Sequence, residues 1–467
     1  MVKKGQRLEL TIESAAFEGS SVARHEGMVV FVRNAVPGDR IRALVIRKKK
    51  RHAEAVVEEI LEPSPHRIEA RCRYFGVCGG CTWQSYEYQG QLDSKRLQVI
   101  DLLQRIGAIE DPQVEPTLAS PDPFHYRNKM EFSFGNSRWL TKEEIESGQD
   151  FDRDFALGLH IPKRFDRILD LHECHLQSQA SAQIVNFVRD FAKARGWSAY
   201  DPRNHEGFLR NLVIREGKQT GQRLVNLVTK RAEPERMEEL CQALLERFPD
   251  DVTTFVNSVN EGRSPVASGE EAVFHGKGFI QEKLGGHTFR IAPTTFFQPN
   301  SLQAEQLFEV ARELAELKGD EKIFDIYCGV GAISLFLSDR AQEVVGFDLH
   351  QRAIEDAARN AADNGVDNCR FLAMDATEVL QPAVTGQLGL PSLAVLDPPR
   401  VGLHKDVTQA LLGSNIPRVV YISCNPATQA RDLKILSERY AVKAVRPVDM
   451  FPHTYHIENV VALQLNA

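Results

Sequence analysis

The sequence predicts an α/β protein: a doubly wound parallel sheet in its last third, preceded by a small β-barrel and a mixed α+β middle. Three observations carry this expectation. From about residue 291, short apolar strands alternate with helices, the pattern of an open parallel sheet rather than of hairpins. Residues 8–61 are short alternating strands punctuated by Gly and Pro. Between these regions lie a Cys-, Gly- and aromatic-rich stretch at 70–90 and a long mixed segment. At 467 residues, two to four units are expected. The boundaries fall at 1–66, 67–290 and 291–467.

In chain order, 8–12 and 40–46 alternate apolar and polar residues, 28–32 is apolar, and Val36-Pro37-Gly38-Asp39 is a turn. Four or five such strands suit a barrel of the oligonucleotide-binding kind. Residues 91–106, 181–195 and 236–247 have helical spacing, while 129–134 and 224–228 read as strands. After a helix at 301–317, strands are expected at 322–326, 343–347, 370–372, 393–396, 418–423 and 460–465. The helices between them are expected at 332–337, 353–364, 406–412 and 427–438.

Composition is that of an ordinary globular chain, 42% hydrophobic and 26% charged. No apolar run reaches the roughly 20 residues of a membrane helix, and the charged start lacks a signal-peptide core, so a cytoplasmic protein is expected. A net charge of −7 excludes a protein that simply coats nucleic acid. Local basic patches remain possible, as at Arg47-Lys48-Lys49-Lys50-Arg51, which is either a solvated face or a phosphate contact.

The first strand of the parallel sheet runs into Asp325-Ile326-Tyr327-Cys328-Gly329-Val330-Gly331. Glycines there let backbone approach a nucleoside at the carboxyl end of the sheet. A dinucleotide fingerprint would want a third Gly where Ser334 stands; S-adenosyl-L-methionine, which has no phosphate, does not need it. Asp348 ends the next strand, where a carboxylate can accept ribose hydroxyls, and Asp375 follows the third, within reach of an adenine amine. Gly329, Asp348 and Asp375 in this succession give the layout of class I methyltransferases. Asp397-Pro398-Pro399-Arg400 ends the fourth strand, with Asp397 expected to face the methyl donor and the acceptor.

The fifth strand ends in Ser423-Cys424-Asn425-Pro426. A lone Cys after an apolar strand is often buried filler. Cys424, however, falls at the carboxyl end of the sheet next to the Asp397 loop, before a helix that is expected to lower its pKa. Carbon 5 of uracil is a poor nucleophile until a thiolate adds at carbon 6. The adduct can then take a methyl group at carbon 5, and a general base must remove the carbon-5 proton before elimination. Glu458, in Phe451-Pro452-His453-Thr454-Tyr455-His456-Ile457-Glu458, is the candidate base; the alternative is a polar turn before the last strand.

With these motifs and Phe296-Phe297-Gln298-Pro299-Asn300, the chain resembles the uracil-5 RNA methyltransferase family of the TrmA, RlmD and RlmC type over essentially its whole length. The resemblance implies a TRAM-type, OB-like RNA-binding barrel, a Rossmann-like class I catalytic domain, and packing of the 91–106 helix on that domain. It implies that Gln298, Tyr327, Asp348 and Asp397 contact S-adenosyl-L-methionine, with Cys424 as nucleophile and Glu458 as base. The chain departs from relatives at Ala332, Asp348 and Pro299, where Asn, Glu and Val are common.

Of the eight cysteines, Cys72, Cys78 and Cys81 have C-x5-C-x2-C spacing and Cys174 follows at a distance. Spacing alone leaves zinc and [4Fe–4S] both open. Resemblance to the cluster-bearing RlmD-type members implies a [4Fe–4S] cluster of structural role. A radical enzyme would use C-x3-C-x2-C instead. Tyr126-Arg127-Asn128-Lys129 and Phe208-Leu209-Arg210-Asn211 mix aromatic and basic groups and are candidate RNA contacts. The expected partner is RNA, 23S ribosomal RNA before the tRNA T-loop, with the protein a monomer. Rivals are a cytosine-5 RNA methyltransferase, disfavoured because Asp397-Pro398-Pro399-Arg400 contains no Cys, and a non-catalytic RNA-binding scaffold.

Overall fold

A computed structural model describes every residue except 1, 17, 163, 165 and 467. The chain forms two compact units: one of residues 1–71, 81–123 and 303–467, the other of 72–80 and 124–302. The three-part division expected at 66/67 and 290/291 is thus regrouped, with the barrel counted together with the C-terminal sheet. The physical link is local. Ala15 and Val36 of the barrel share an apolar cluster with Trp83, Tyr86 and Tyr455, and Gln98 donates to the Ala15 carbonyl.

The barrel sheet has six strands among the described residues, from Arg7–Thr11 to His52–Glu62. Strict alternation sends Leu8, Leu10, Ile41, Ala43 and Val45 inward. The outward row is a charge ladder. Arg40 and Arg42 lie between Glu9 on one neighbouring strand and Glu62 and Glu59 on the other. Arg47 and Lys49, inside the basic run, lie 3.6 and 3.9 Å from Glu54. Such exposed pairs stabilise little, but they leave much of the positive charge of this face already matched by carboxylates.

Helix α1 (Tyr88–Arg105) buries Val99 and Leu103 in the same apolar cluster as the strands of the C-terminal sheet. That sheet has seven strands: β1 (Lys322–Ile326), β2 (Glu343–Asp348), β3 (Cys369–Ala373), β4 (Leu393–Leu396), β5 (Arg418–Ser423), β6 (Tyr440–Val448) and β7 (Glu458–Leu465). Their order is β3-β2-β1-β4-β5-β7-β6, parallel except for β7, which runs antiparallel to both neighbours. The order reverses between β1 and β4, so a crevice opens at their carboxyl ends, where ligands of such sheets bind. Helices α2 (Ala332–Ser338), α3 (Gln351–Asp363) and α4 (Pro426–Leu436) follow β1, β2 and β5.

The second unit is built on an eight-stranded sheet whose central strands include Lys129–Gly135, Leu209–Glu216 and Arg223–Thr229. Helices Gln179–Ala194 and Pro234–Arg247 bury Ile184, Val188, Leu240 and Leu244 in its apolar core. No helix among the described residues is long and apolar enough to cross a membrane.

Candidate active site

The turn after β1 is built for close approach. Gly331 has φ +78°, and a Cβ there would stand 3.0 Å from the Phe371 ring and 3.1 Å from Ala357. Gly329 is different: no protein atom lies within 4 Å of where its Cβ would be, so that side of the turn is open. Asp348, at the end of β2, holds the turn by accepting from the Gly329 N–H at 3.1 Å and the His350 N–H at 2.9 Å. Beneath it, buried Asp325 accepts from Ser334 Oγ at 2.5 Å, and burial pushes its carboxyl up to about 6. Ser334, the residue that breaks the dinucleotide fingerprint, is therefore a donor to a buried acid. Sequence reasoning missed Asp325, whose only signal was a carboxylate inside an apolar strand. Tyr327 has φ +75°, and its hydroxyl is pushed up to about 12, first by burial and then by the charge of Asp375. Asp375 caps the following turn through the Thr377 N–H, at 2.8 Å. An open glycine turn flanked by the carboxylates of Asp348 and Asp375 fits a nucleoside with a positively charged sulfonium.

The thiol stands on the other side of the reversal. Asn425 caps α4 through the Ala427 N–H and sends its Nδ2 to the Arg400 carbonyl at 3.0 Å; Thr428 Oγ1 donates to the same carbonyl at 3.3 Å. These bonds tie Ser423-Cys424-Asn425-Pro426 to Asp397-Pro398-Pro399-Arg400, which gives the two motifs a physical reason to occur together. Ser423 pairs with Asn459 across β5 and β7. One step further along this antiparallel register lie Cys424, half-buried, and Glu458, buried. Sequence reasoning named both residues; the register that makes them neighbours needed the fold.

The expected low pKa of Cys424 is overturned. Burial pushes the thiol up to about 12, the negative charges of Glu458 and Asp397 add to this, and Arg400 only partly offsets them. The helix behind it does not outweigh two carboxyls beside it. Burial also raises Asp397 to about 7, with the Asp325 charge adding, and holds Glu458 well above the usual carboxylate range. In the unliganded protein, iodoacetamide labelling of Cys424 should therefore climb about tenfold per pH unit between pH 7 and 10. Asp397→Asn removes a negative neighbour, lowers the thiol pKa and should speed labelling at pH 8. Peptide mass spectrometry reads both, and a plateau below pH 9 would contradict the buried, acid-flanked thiol.

The loop that delivers Glu458 is anchored from α1. Lys95, fully buried, pairs with Asp449 at 2.6 Å and donates to the Phe451 carbonyl at 3.3 Å. Gln91 donates to the Trp83 and Tyr86 carbonyls and accepts from the His453 N–H at 2.9 Å.

In the second unit, Gln298 is fixed through its backbone. Asn128 Nδ2 donates to the Gln298 carbonyl and to Ser301 Oγ, both at 2.7 Å. Arg215 donates to the Pro293 and Thr295 carbonyls just upstream. Packing also constrains the two aromatic–basic clusters expected to contact RNA, of which Arg127 and Lys129 are only half-buried. Tyr126 and Asn128 are buried, as are Phe208, Leu209 and Arg210, and Arg210 is spent on the Asn260, Gly262 and Ser264 carbonyls. Their polar groups serve neighbouring backbone, which a sequence pattern does not distinguish from a surface. Asn128→Ala should cost about 1–3 kcal/mol in urea unfolding by stranding buried partners, whereas a surface residue would cost almost nothing.

Cys72, Cys78 and Cys174 pack against one apolar cluster of this unit. Burial pushes Cys78 up to about 12, and the charges of Cys174 and Cys72 add to this, so the three thiols are electrostatic neighbours. Backbone N–H groups face their sulfurs: Gly80 toward Cys78 at 3.4 Å, Tyr74 and Phe75 toward Cys72, Leu176 and Gln177 toward Cys174. Cys81, in the other unit, accepts from Gln84 Nε2 at 3.2 Å. Among the described residues, no three His, Cys, Asp or Glu side chains are grouped to hold a metal ion.

A Rossmann-like sheet with an open glycine turn at its switch point, and a thiol beside a carboxyl at the ends of the adjacent strands β5 and β7, defines a class I methyltransferase. Comparison with known proteins narrows the class. A family model described as tRNA (Uracil-5-)-methyltransferase matches residues 267–466, and a TRAM domain model matches 2–57. An "Uncharacterized RNA methyltransferase" of Bacteroides thetaiotaomicron is 42% identical over 453 residues, 96% of this chain and 100% of that protein. One from Chlorobaculum tepidum is 39% identical over 99% of this chain and 97% of its own length. The crystal structure of Pyrococcus abyssi tRNA (uracil-54, C5)-methyltransferase with S-adenosyl-L-homocysteine superposes with a TM-score of 0.76 at 32% identity, covering 97% of this chain and 99% of that one. The chain belongs to the S-adenosylmethionine-dependent uracil-5 RNA methyltransferase family.

Proposed function

We propose that the protein methylates carbon 5 of one uridine in 23S ribosomal RNA, with Cys424 as nucleophile and Glu458 as base. The observation that supports the covalent chemistry most is the placement of Cys424 and Glu458 at facing ends of β5 and β7, beside Asp397; the choice of 23S RNA rests on resemblance to the RlmD type. The Cys424 sulfur adds to carbon 6 of uracil, its proton leaving to solvent. Carbon 5, now nucleophilic, takes the methyl group from the sulfonium, and S-adenosyl-L-homocysteine departs. Glu458 removes the carbon-5 proton, the carbon–sulfur bond breaks, and 5-methyluracil is released with one proton produced overall. A raised carboxyl suits this, since it takes up a proton more readily than an ordinary carboxylate. A sulfonium charge beside Asp397 favours the thiolate that burial and the neighbouring carboxyls disfavour. Gln298, Tyr327, Gly329, Asp348, Asp375 and Asp397 are read as the S-adenosylmethionine contacts.

A second reading, methylation of the tRNA T-loop, is favoured by the named activity of the Pyrococcus abyssi neighbour. Mapping 5-methyluridine in total RNA from a deletion strain separates the two: loss in 23S RNA supports the first, loss in tRNA the second. Retention in both sinks uracil-5 methylation as the function. Calorimetry with S-adenosylmethionine tests the scaffold rival, which predicts no binding.

We read Cys72, Cys78, Cys81 and Cys174 as ligands of a [4Fe–4S] cluster with a structural role. All four sulfurs face N–H donors, which suits them as thiolate ligands. Anaerobically purified protein should carry about four iron atoms per chain, and Cys78→Ser should lose them. Iron-free wild-type protein would refute the reading.

A further inference from the structure

Behind the facing thiol and carboxyl lies a buried amide pair. Gln429, on the inward face of α4, and Asn459, the residue after Glu458, are both fully buried. Gln429 Nε2 donates to the Tyr421 carbonyl of β5 at 2.8 Å and to the Asn459 carbonyl of β7 at 3.1 Å. Its Oε1 accepts from Asn459 Nδ2 at 2.7 Å. One side chain therefore spans both strands and is bonded back by the second strand's own side chain. Asn459 Oδ1 has no hydrogen-bond partner. A buried polar group left partly unsatisfied, where an apolar pair would pack without cost, calls for an explanation beyond stability.

The position supplies one. Asn459 pairs with Ser423, the last rung of the β5–β7 ladder before Cys424 and Glu458 diverge into the site. The thiol loop is already held on its other side, by Asn425 and Thr428 on the Arg400 carbonyl. Glu458 is also paired with Val448 of β6, and its loop is anchored from α1; the rung adds the one tie that sets β7 directly against the thiol-bearing end of β5. We infer that Gln429 and Asn459 are positioning residues: a clamp that fixes the base-bearing end of β7 relative to Cys424. Its effect falls on the step that uses Glu458, removal of the carbon-5 proton, more than on thiol addition or methyl transfer.

This inference rests on the assignment of Cys424 and Glu458, and the experiment keeps the two apart. Wild-type protein is first trapped on total RNA containing 5-fluorouridine. Then wild type, Gln429→Met, and the double variant Gln429→Leu with Asn459→Ala, which removes both partners at once, turn over ordinary RNA from a deletion strain. The fraction of enzyme held covalently on RNA at steady state is read on denaturing gels. The clamp predicts kcat lower by about tenfold or more, kcat/KM for RNA and for S-adenosylmethionine within about twofold of wild type so that KM falls with kcat, and a larger covalent fraction, because resolution slows more than formation. Should the double variant not fold, Gln429→Met, of similar volume, carries the test, with Asn459→Ser as its partner. A covalent fraction and kcat equal to wild type in folded variants would overturn the clamp. So would a loss shared equally between formation and resolution, which is what general loosening of the core would give. Wild type that forms no adduct would sink the nucleophile assignment and the clamp with it.

Discussion

A Cys424→Ala protein will bind S-adenosylmethionine like wild type but transfer no methyl group, with a rate lower by about 10^5-fold or more, the scale on which removal of a covalent nucleophile acts. Incubated with RNA containing 5-fluorouridine, wild type should give a complex stable to denaturation, because fluorine blocks the final proton removal. The variant should give none. The change trims one sulfur from a half-buried position, so the fold should persist, and unchanged cofactor affinity by calorimetry would show that it does. A trapped complex that survived the substitution would mean that another group attacks the base.

Glu458→Gln should fail later in the cycle. Its neutral amide removes the base without removing the volume, at a buried position where a charge is already disfavoured. Attack and methyl transfer depend on the thiol and the donor pocket, so one methyl group per enzyme should still be transferred. Release should then slow by about 10^2- to 10^4-fold, the usual contribution of a general base. Methylated RNA should accumulate covalently attached to the variant, detectable with radiolabelled donor on a denaturing gel. Unimpaired turnover would assign the base elsewhere, and loss of the first methyl transfer would make Glu458 part of the attack.

The two variants separate the halves of one reaction, and the acidity of the site explains why both groups need the ligands. The site raises Cys424 to about 12 and Asp397 to about 7, chiefly through burial. A thiol that stays protonated until a cation and a base are in place is protected from stray alkylation and oxidation. The cost is that reactivity cannot be read from the helix that follows the Cys, which is where the sequence expectation went astray.

Much of the molecule was legible from residue order because it depends on local physics. Alternation in 40–46 and helical spacing in 91–106 report which face is buried, and both elements formed with bounds within a few residues of expectation, as Arg40–Lys48 and Tyr88–Arg105. The glycine turn, Asp348, Asp397 and Cys424 could be named as candidates because such groups at strand ends have few other uses. What was illegible depended on partners far away in the chain. Asn128 and Arg210 looked like RNA contacts, since a polar side chain is named by its chemistry while its partner is chosen by packing. The charge ladder on the barrel needed the pairing of three strands. Gln429 gave no signal at all, since a glutamine on a helix is ordinarily solvent-facing.

The sequence by itself determined the strand–helix alternation of the C-terminal sheet and the family, and named the candidate thiol and carboxyl, because periodicity, turn chemistry and paired motifs are properties of neighbouring residues; the strand Tyr440–Val448 and the reversed direction of β7 it did not show. Only the tertiary structure decided that Cys424 and Glu458 face one another, that burial raises rather than lowers the thiol, and that buried amides hold the strands behind it. Those facts arise from an antiparallel register and from exclusion of water, which exist only when residues distant in the chain are brought into contact.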